Sequence, residues 1–242
     1  MTGRIYGIGL GPGDPDLMSV KAHRLLSLAR HVAYFRKQGR AGRARTMVNG
    51  LLPEAAQEVA MEYPVTTEVP VSDPRYNEML SGFYSDCTTR LTDITARGED
   101  VVVLCEGDPF FYGSFMHLYE RLKDNTAVEV VPGITGMSAA WTASGAPITW
   151  GDDVLTVLMG TLSEADLTRH MGDSDALVIM KVGRNFKKIC DVLKVSGKYD
   201  AAWLVEYAAM DGQTVQRLSD VSPDHKAPYF SIILVHGQGR RP

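Results

Sequence analysis

Three glycine-containing turns hold the residues best suited to bind a small ligand, and each turn follows a short apolar run. They read GLGPGDP from Gly9, CEGDPFFYG from Cys105 and VPGITG from Val131. Glycine lets a flat ligand approach the backbone closely, and free N–H and C=O groups beside one carboxylate suit a zwitterionic ligand with an amine and a ribose. The alternative for each turn is structural, namely a tight bend at the first turn and helix capping by Asp108 and Thr135 at the other two.

The first turn departs from both common nucleotide-binding motifs. A dinucleotide fingerprint needs a glycine where Pro12 stands and an acidic residue after the second strand, where Arg36 and Lys37 stand. Neither GKS nor GKT occurs in the sequence, which excludes a phosphate-binding P-loop. The glycine spacing and Arg36 leave a nicotinamide-dependent oxidoreductase open as a rival interpretation, although Pro12 argues against it.

The elements that must position these turns alternate between strands and helices along the whole chain. The apolar patterns predict strands at 4–10, 32–35, 101–105, 128–131, 154–159, 177–181, 201–206 and 229–235. They predict helices at 17–29, 73–97, 114–122, 135–143, 163–170 and 185–195. A turn-rich segment at 145–153 separates two such series. We therefore predict two α/β domains with mostly parallel or mixed sheets, at 1–148 and 149–242.

The composition limits the class of protein. The 242 residues carry a net charge of −4, which argues against a nucleic-acid partner because such a partner requires a basic surface. No apolar run approaches the roughly 20 residues of a membrane span, and no apolar leader precedes the first strand, so we expect a cytoplasmic protein without a membrane partner. The cysteines, Cys87, Cys105 and Cys190, form no CxxC pair, which favours a reducing compartment and predicts no metal site.

Positive charge is concentrated in one stretch despite the acidic balance. Residues 36–45 contain five cations, Arg36, Lys37, Arg40, Arg43 and Arg45. Arginine pairs with carboxylates through two parallel hydrogen bonds, so the stretch suits a polycarboxylate, and we assign substrate binding to Arg36, Arg40 and Arg43. A solvated basic surface is the alternative, and a second basic cluster at 181–188 is compatible with either role.

The sequence and order of the three turns resemble those of the tetrapyrrole methylases, and the resemblance covers essentially the whole chain. Within that family, the segments 34–36, 61–68, 104–108 and 181–186 are similar to the branch that methylates the C20 meso carbon of precorrin-2 to give precorrin-3A. The resemblance implies S-adenosylmethionine as the methyl donor and S-adenosylhomocysteine as its product. It also implies a donor cleft between the two domains, and a homodimer.

Carried over to the matching positions, the resemblance implies a donor site drawn from both domains. Its residues are Pro12, Glu106, Gly107, Asp108, Phe111, Thr135, Gly136, Met159 and Ala208. The chain departs from the family pattern at two of them. Many relatives carry glycine where Glu106 stands, and relatives often carry serine or alanine where Gly136 stands. Glu106 therefore contributes a side chain that a bare loop lacks.

Methyl transfer from a sulfonium to an electron-rich carbon needs no strong protein nucleophile, and the sequence contains neither an HExxH motif nor a convincing Ser-His-Asp pattern. A proton must still leave C20 after methylation. We name Glu106 as the candidate base and Tyr112 as the weaker option, against the alternative that Glu106 is a solvated loop carboxylate. No metal is expected. The rival functions are methylation of the cobalt-loaded macrocycle factor II, the oxidoreductase, and a non-catalytic tetrapyrrole carrier.

Overall fold

The structure is a computed structural model and describes residues 2–65 and 73–241. The chain divides into two compact units, Met1–Thr135 and Gly136–Pro242, and each contains one five-stranded sheet. The predicted α/β class is confirmed, with one parallel and one mixed sheet. The functional domain limits 1–148 and 149–242 stay a prediction. Within the segment 61–68 that carries part of the family resemblance, residues 66–68 lie outside the described residues.

The first unit is built around a parallel sheet. Its strands are β1 (Ile5–Gly9), β2 (His31–Lys37), β3 (Gln57–Tyr63), β4 (Val101–Cys105) and β5 (Val128–Val131). Its helices are α1 (Val20–Ser27), α2 (Arg43–Met47), α3 (Pro74–Ala96) and α4 (Phe115–Leu122). The strand order is β3-β2-β4-β1-β5, and every pair is parallel. The carboxyl ends of all five strands therefore lie at one edge, which is where open α/β sheets bind ligands.

Apolar residues cover both faces of the first sheet. Alternate residues of β4 point to opposite faces, so that Val101 and Val103 pack with α3 and α4 while Val102 and Leu104 pack with α1 and α2. Every residue of β4 is buried. A strand covered on both faces needs an unbroken apolar run, which explains its five consecutive apolar residues.

The second unit is built around a mixed sheet. Its strands are β6 (Leu155–Met159), β7 (Ala176–Met180), β8 (Ala202–Glu206), β9 (Thr214–Arg217) and β10 (Ser231–Val235). Its helices are α5 (Gly136–Ala143), α6 (Glu164–Gly172) and α7 (Phe186–Val195). The order is β6-β7-β10-β8-β9, in which β6 and β7 are parallel and β10 runs antiparallel to both β7 and β8. The strands β6, β7 and β8 therefore end at the same edge.

The second sheet is also packed on both faces. Helices α6 and α7 cover one face through a large apolar cluster that includes Leu167 and Ile189. Helix α5 lies on the other face, where Ala140 packs with Val178, Val205 and Leu234. Each helix of the described residues is too short or too polar to cross a membrane.

Candidate active site

The three glycine-containing turns meet at the carboxyl edge of the first sheet, because they follow the neighbouring strands β4, β1 and β5. Their contact is backbone on backbone. A Cβ added to Gly133 would lie 2.1 Å from the Gly107 carbonyl oxygen, and one added to Gly9 would lie 2.6 Å from the Gly133 nitrogen. Gly11 and Gly107 also exchange two main-chain hydrogen bonds, of 2.8 and 3.3 Å. Only residues without a side chain fit there, so the turns form one continuous main-chain surface.

Asp108 joins the second turn to the third. One carboxylate oxygen accepts the Phe110 N–H at 2.8 Å, and the other accepts the Gly133 N–H at 3.0 Å. The following helix α4 begins at Phe115 and has Ser114 at its N-cap position, so Asp108 does not cap it. The carboxylate of Asp108 therefore fixes the shape of the main-chain surface.

The backbone of the second turn is strained. Tyr112 has a φ of 54°, in the left-handed region that costs a non-glycine residue about 1–3 kcal/mol. Its side chain is 51% exposed, and its ring packs edge-on against Phe111 with 4.9 Å between centroids. Strain of this kind persists where the surroundings enforce it and clusters at ligand sites. Of the remaining predicted donor-site residues nearby, Pro12 is buried and Thr135 is half-buried directly before α5, which begins at Gly136.

Glu106 directly follows β4 and lies beside the first turn of α2. Its side chain keeps accessible surface, yet removal from bulk water raises the pKa of its carboxyl group. The Arg43 guanidinium and the Ala44 backbone N–H lower this pKa but do not cancel the effect. The exposed side chain fits a solvated loop carboxylate, whereas a raised pKa is a property that catalytic carboxylates share, so both interpretations of Glu106 stay open.

A hydroxyl cluster that the sequence does not signal lies close to Glu106. Tyr63 ends β3, and its hydroxyl contacts the hydroxyl of Ser114. Burial raises the pKa of Tyr63 above its usual range, with a smaller contribution from the negative charge of Glu106, and burial also raises the pKa of Tyr84 in the same cluster. Both phenols therefore stay protonated, so they can donate hydrogen bonds but cannot act as bases.

The arginines assigned to substrate binding differ in their partners. Arg36 Nη2 lies 2.5 Å from Oε1 of Glu62, its cross-strand neighbour on β3. Arg43 begins α2 and lies near Glu106. Arg40 is exposed in the turn between β2 and α2, and the described part of the chain places no carboxylate in an ion pair with it. Arg40 is therefore the cation of this group most available to a ligand.

The donor-site residues predicted in the second unit lie at one edge of its sheet. Met159 ends β6, and Ala208 is the second residue after β8. The neighbours of Ala208 are both strained, since Tyr207 has a φ of 53° and Ala209 a φ of 57°. Lys181, which follows β7 at the same edge, has a φ of 54°. Three left-handed non-glycine residues at one sheet edge mark it as a second candidate ligand surface.

The cysteines are buried and poorly suited to nucleophilic chemistry. Burial raises the pKa of Cys87 and Cys190 to about 11, and it raises the pKa of the buried Cys105 as well. Thiolates are therefore scarce at neutral pH. Over residues 2–65 and 73–241, no three side chains of His, Cys, Asp or Glu gather in a way that could hold a metal ion.

A parallel sheet with three converging turns at its carboxyl edge, followed by a mixed sheet with a strained edge of its own, defines a two-unit α/β protein with two candidate ligand surfaces. The family model of the Tetrapyrrole (Corrin/Porphyrin) Methylases matches residues 4–221, and the chain belongs to this family. The family membership predicted from the three turns is thereby confirmed.

Named relatives are similar over nearly their full lengths. The chain is 47% identical over 241 residues to the precorrin-2 C(20)-methyltransferase of Sinorhizobium sp, covering 100% of this chain and 98% of that protein. It is 29% identical over 240 residues to the cobalt-precorrin-2 C(20)-methyltransferase of Salmonella typhimurium, covering 98% of each. The uroporphyrin-III C-methyl transferase from Thermus thermophilus, crystallised with S-adenyl homocysteine, matches with a TM-score of 0.68 and 25% identity over 96% of this chain and 92% of that one.

Proposed function

We propose that this chain transfers a methyl group from S-adenosylmethionine to C20 of precorrin-2, giving precorrin-3A, without a metal in the reaction. The observation that carries the proposal is the convergence of three turns on one surface of bare main chain. The choice of the metal-free macrocycle over cobalt-loaded factor II is supported by the identities of 47% and 29% to the two kinds of relative.

The main-chain surface suits the methionine end of the donor. Its N–H and C=O groups can pair with an amine and a carboxylate, and the absence of side chains at Gly9 and Gly133 lets the ligand approach the backbone. We assign this end to Glu106, Gly107 and Asp108, with Pro12, Phe111, Thr135 and Gly136 in the same three turns. The adenosine part is assigned to Met159 and Ala208 of the second unit.

Positioning supplies most of the acceleration in this proposal. The donor brings a methyl group on a positively charged sulfur and leaves as S-adenosylhomocysteine. The turns orient the donor, and the arginines hold the acceptor through its carboxylates. Fixing two reactants in attack geometry contributes on the order of 7–11 kcal/mol, which is enough for a carbon nucleophile that needs little activation.

Glu106 is the proposed acceptor of the C20 proton. We expect Glu106→Gln to lower kcat at saturating donor by about 100-fold, the usual contribution of a general base. The base must be ionised, and partial removal from bulk water raises the pKa of its carboxyl group. As the pH is lowered, wild-type kcat should therefore begin to fall at a higher pH than it would with an ordinary glutamate as the base. This decrease on the acid side of the pH profile, the acid limb, should be missing in the variant. Single-turnover rates measured across pH test both points.

Two variants complete that experiment. Glu120→Gln on α4 removes the same charge from a surface pair with Lys123 and should leave the profile unchanged. Tyr112→Phe examines the weaker candidate. If Glu106→Gln keeps the acid limb and full rate while Tyr112→Phe loses activity, the proton acceptor is Tyr112.

We further propose that the chain acts as a homodimer in the cytoplasm, with the tetrapyrrole as its partner and with neither nucleic acid nor membrane. The net charge of −4 supports the exclusion of nucleic acid. The homodimer rests on the family resemblance, and sedimentation equilibrium of the purified chain tests it.

Product analysis decides the function directly. The chain is incubated with S-adenosylmethionine and either metal-free precorrin-2 or cobalt-loaded factor II, and the tetrapyrrole is examined by mass spectrometry and NMR. The expected product is metal-free with one added methyl group at C20. Methylation of the cobalt form alone would reverse the choice of substrate. Calorimetric titration with S-adenosylhomocysteine and with NADPH separates the other rivals, because a carrier has no reason to bind the first and an oxidoreductase must bind the second.

A further inference from the structure

A buried carboxylate that the proposed chemistry does not use lies at the end of β8. Glu206 is the last residue of that strand and is only 7% exposed, so its charge requires polar partners. Nε2 of His225 lies 2.8 Å from Glu206 Oε1, and the Thr214 hydroxyl donates to Oε2 at 3.4 Å. The Ser231 hydroxyl lies 3.4 Å from Oε1, although its shorter bond of 2.8 Å goes to the Pro228 carbonyl oxygen.

The partners of Glu206 come from separate segments of the chain. Thr214 begins β9, Ser231 begins β10, and His225 lies in the segment that leads to β10. The His225 ring packs edge-on against Phe186 at the start of α7, with 5.4 Å between centroids. Glu206 therefore links the end of β8 to the first residues of β9 and β10 and to the segment that leads to β10.

The loop that leaves Glu206 is held at a second point. Tyr207 and Ala209 both have positive φ angles, a conformation that such residues keep only when their surroundings enforce it. The Tyr207 N–H donates to the Phe230 carbonyl at 2.8 Å, and the Ala209 N–H donates to Gln213 Oε1 at 2.8 Å. These two hydrogen bonds therefore fix the main chain on both sides of Ala208.

We propose that Glu206 and Gln213 are positioning residues for the methyl donor, and that they hold the main chain at Ala208 in the conformation that accepts the adenosine part. The inference rests on the proposed function, because it takes Ala208 as a donor contact. Gln213 acts through its hydrogen bond with the Ala209 N–H, and Glu206 acts through the end of β8, from which the loop leaves. Their loss should therefore weaken donor binding and leave tetrapyrrole binding unchanged.

Gln213→Ala is the main test, because Gln213 is exposed and its replacement leaves the core intact. Calorimetric titration should show an increase of about tenfold in the Kd for S-adenosylhomocysteine, the effect of losing one hydrogen bond that orders the site. The KM for the tetrapyrrole should stay within about twofold of wild type. Gln213→Glu keeps an oxygen that accepts the Ala209 N–H and should restore the wild-type Kd. Gln216→Ala, at the position of β9 opposite Leu204, is the matched control.

Glu206→Gln extends the test to the base of the loop, since it keeps an oxygen facing His225 but removes the charge. The Kd of this variant for S-adenosylhomocysteine should also rise. Its melting temperature is measured separately, so that a loss of stability is distinguished from a loss of donor affinity. Unchanged donor Kd in both variants, with a wild type that binds S-adenosylhomocysteine, overturns the inference. Parallel losses of donor and tetrapyrrole affinity overturn it as well. A wild type that does not bind S-adenosylhomocysteine overturns the proposed function instead.

Discussion

Replacing Gly133 with alanine is expected to abolish tight binding of the methyl donor. The added Cβ would lie 2.1 Å from the Gly107 carbonyl oxygen and 2.8 Å from Gly9 Cα, and neither main-chain atom can rotate away. The turns must separate, and the hydrogen bond from the Gly133 N–H to Asp108 is lost with them. We expect the Kd for S-adenosylhomocysteine to rise by at least about 100-fold, equivalent to roughly 2.7 kcal/mol, in a calorimetric titration.

Gly82→Ala is the control for this substitution. Gly82 lies in α3, is exposed, and has no atom within 4 Å of an added Cβ. Alanine favours a helix over glycine by about 1 kcal/mol, so this variant should be slightly more stable and should bind the donor normally. A Gly133→Ala protein that keeps its circular dichroism spectrum and a wild-type Kd would show that the main-chain surface does not bind the donor.

Neutralising Arg36, Arg40 and Arg43 together is expected to raise the KM for the tetrapyrrole by about 100-fold and to leave donor affinity nearly unchanged. Each exposed arginine–carboxylate contact contributes up to about 1 kcal/mol after solvent screening. Three such contacts therefore account for a change of roughly 100-fold in the KM for the tetrapyrrole. The single variants should differ, with Arg40→Gln the most damaging, because Arg36 is shared with Glu62 and Arg43 lies near Glu106. Steady-state kinetics at low and high ionic strength measures the effect, which added salt should reduce.

The control removes the same charge elsewhere. Arg97, Arg169 and Lys187 are exposed cations that each pair with a nearby carboxylate outside the proposed site. Their combined replacement by glutamine should leave the tetrapyrrole KM within about twofold of wild type, as surface pairs contribute little. Equal KM values for the two triple variants would remove substrate binding from residues 36–45 and leave that stretch a solvated surface.

The buried elements could be predicted from the sequence, because burial imposes a strong pattern. β4 and β5 have their predicted bounds, Val101–Cys105 and Val128–Val131. The sequence predicts helix α3 at 73–97, and the helix spans Pro74–Ala96, because Asp73 caps its start and Gly98 follows its end. The three turns were found for the same reason, since each lies directly after one of these predictable strands.

The elements that the sequence did not reveal are short or lie at sheet edges. β3 and β9 are edge strands whose residues are largely accessible, so neither strand has a continuous apolar run from which it could be predicted. Helix α2 has five residues and begins after Gly42, which provides no side-chain cap. Accessible edge strands and a short helix without a side-chain cap give sequence patterns that cannot be distinguished from those of loops.

Side-chain partners in the candidate site depend on contacts between distant parts of the chain, which periodicity does not encode. The pair of Arg36 and Glu62 follows from the register of β2 with the unpredicted β3. The pair of Glu206 and His225 joins the end of β8 to a segment beyond β9. The position of Glu106 after a strand marks it as a candidate, but its raised pKa depends on atoms that only the folded chain brings around it.

Each unit carries a buried thiol within its core. Cys87 and Cys105 belong to the apolar cluster of the first unit, and Cys190 belongs to that of the second. An alkylating reagent reaches such groups only when the surrounding core opens. The chain therefore contains native reporters on both halves, and the order in which these sulfurs are labelled during slow warming would reveal which half loosens first and whether a ligand protects it.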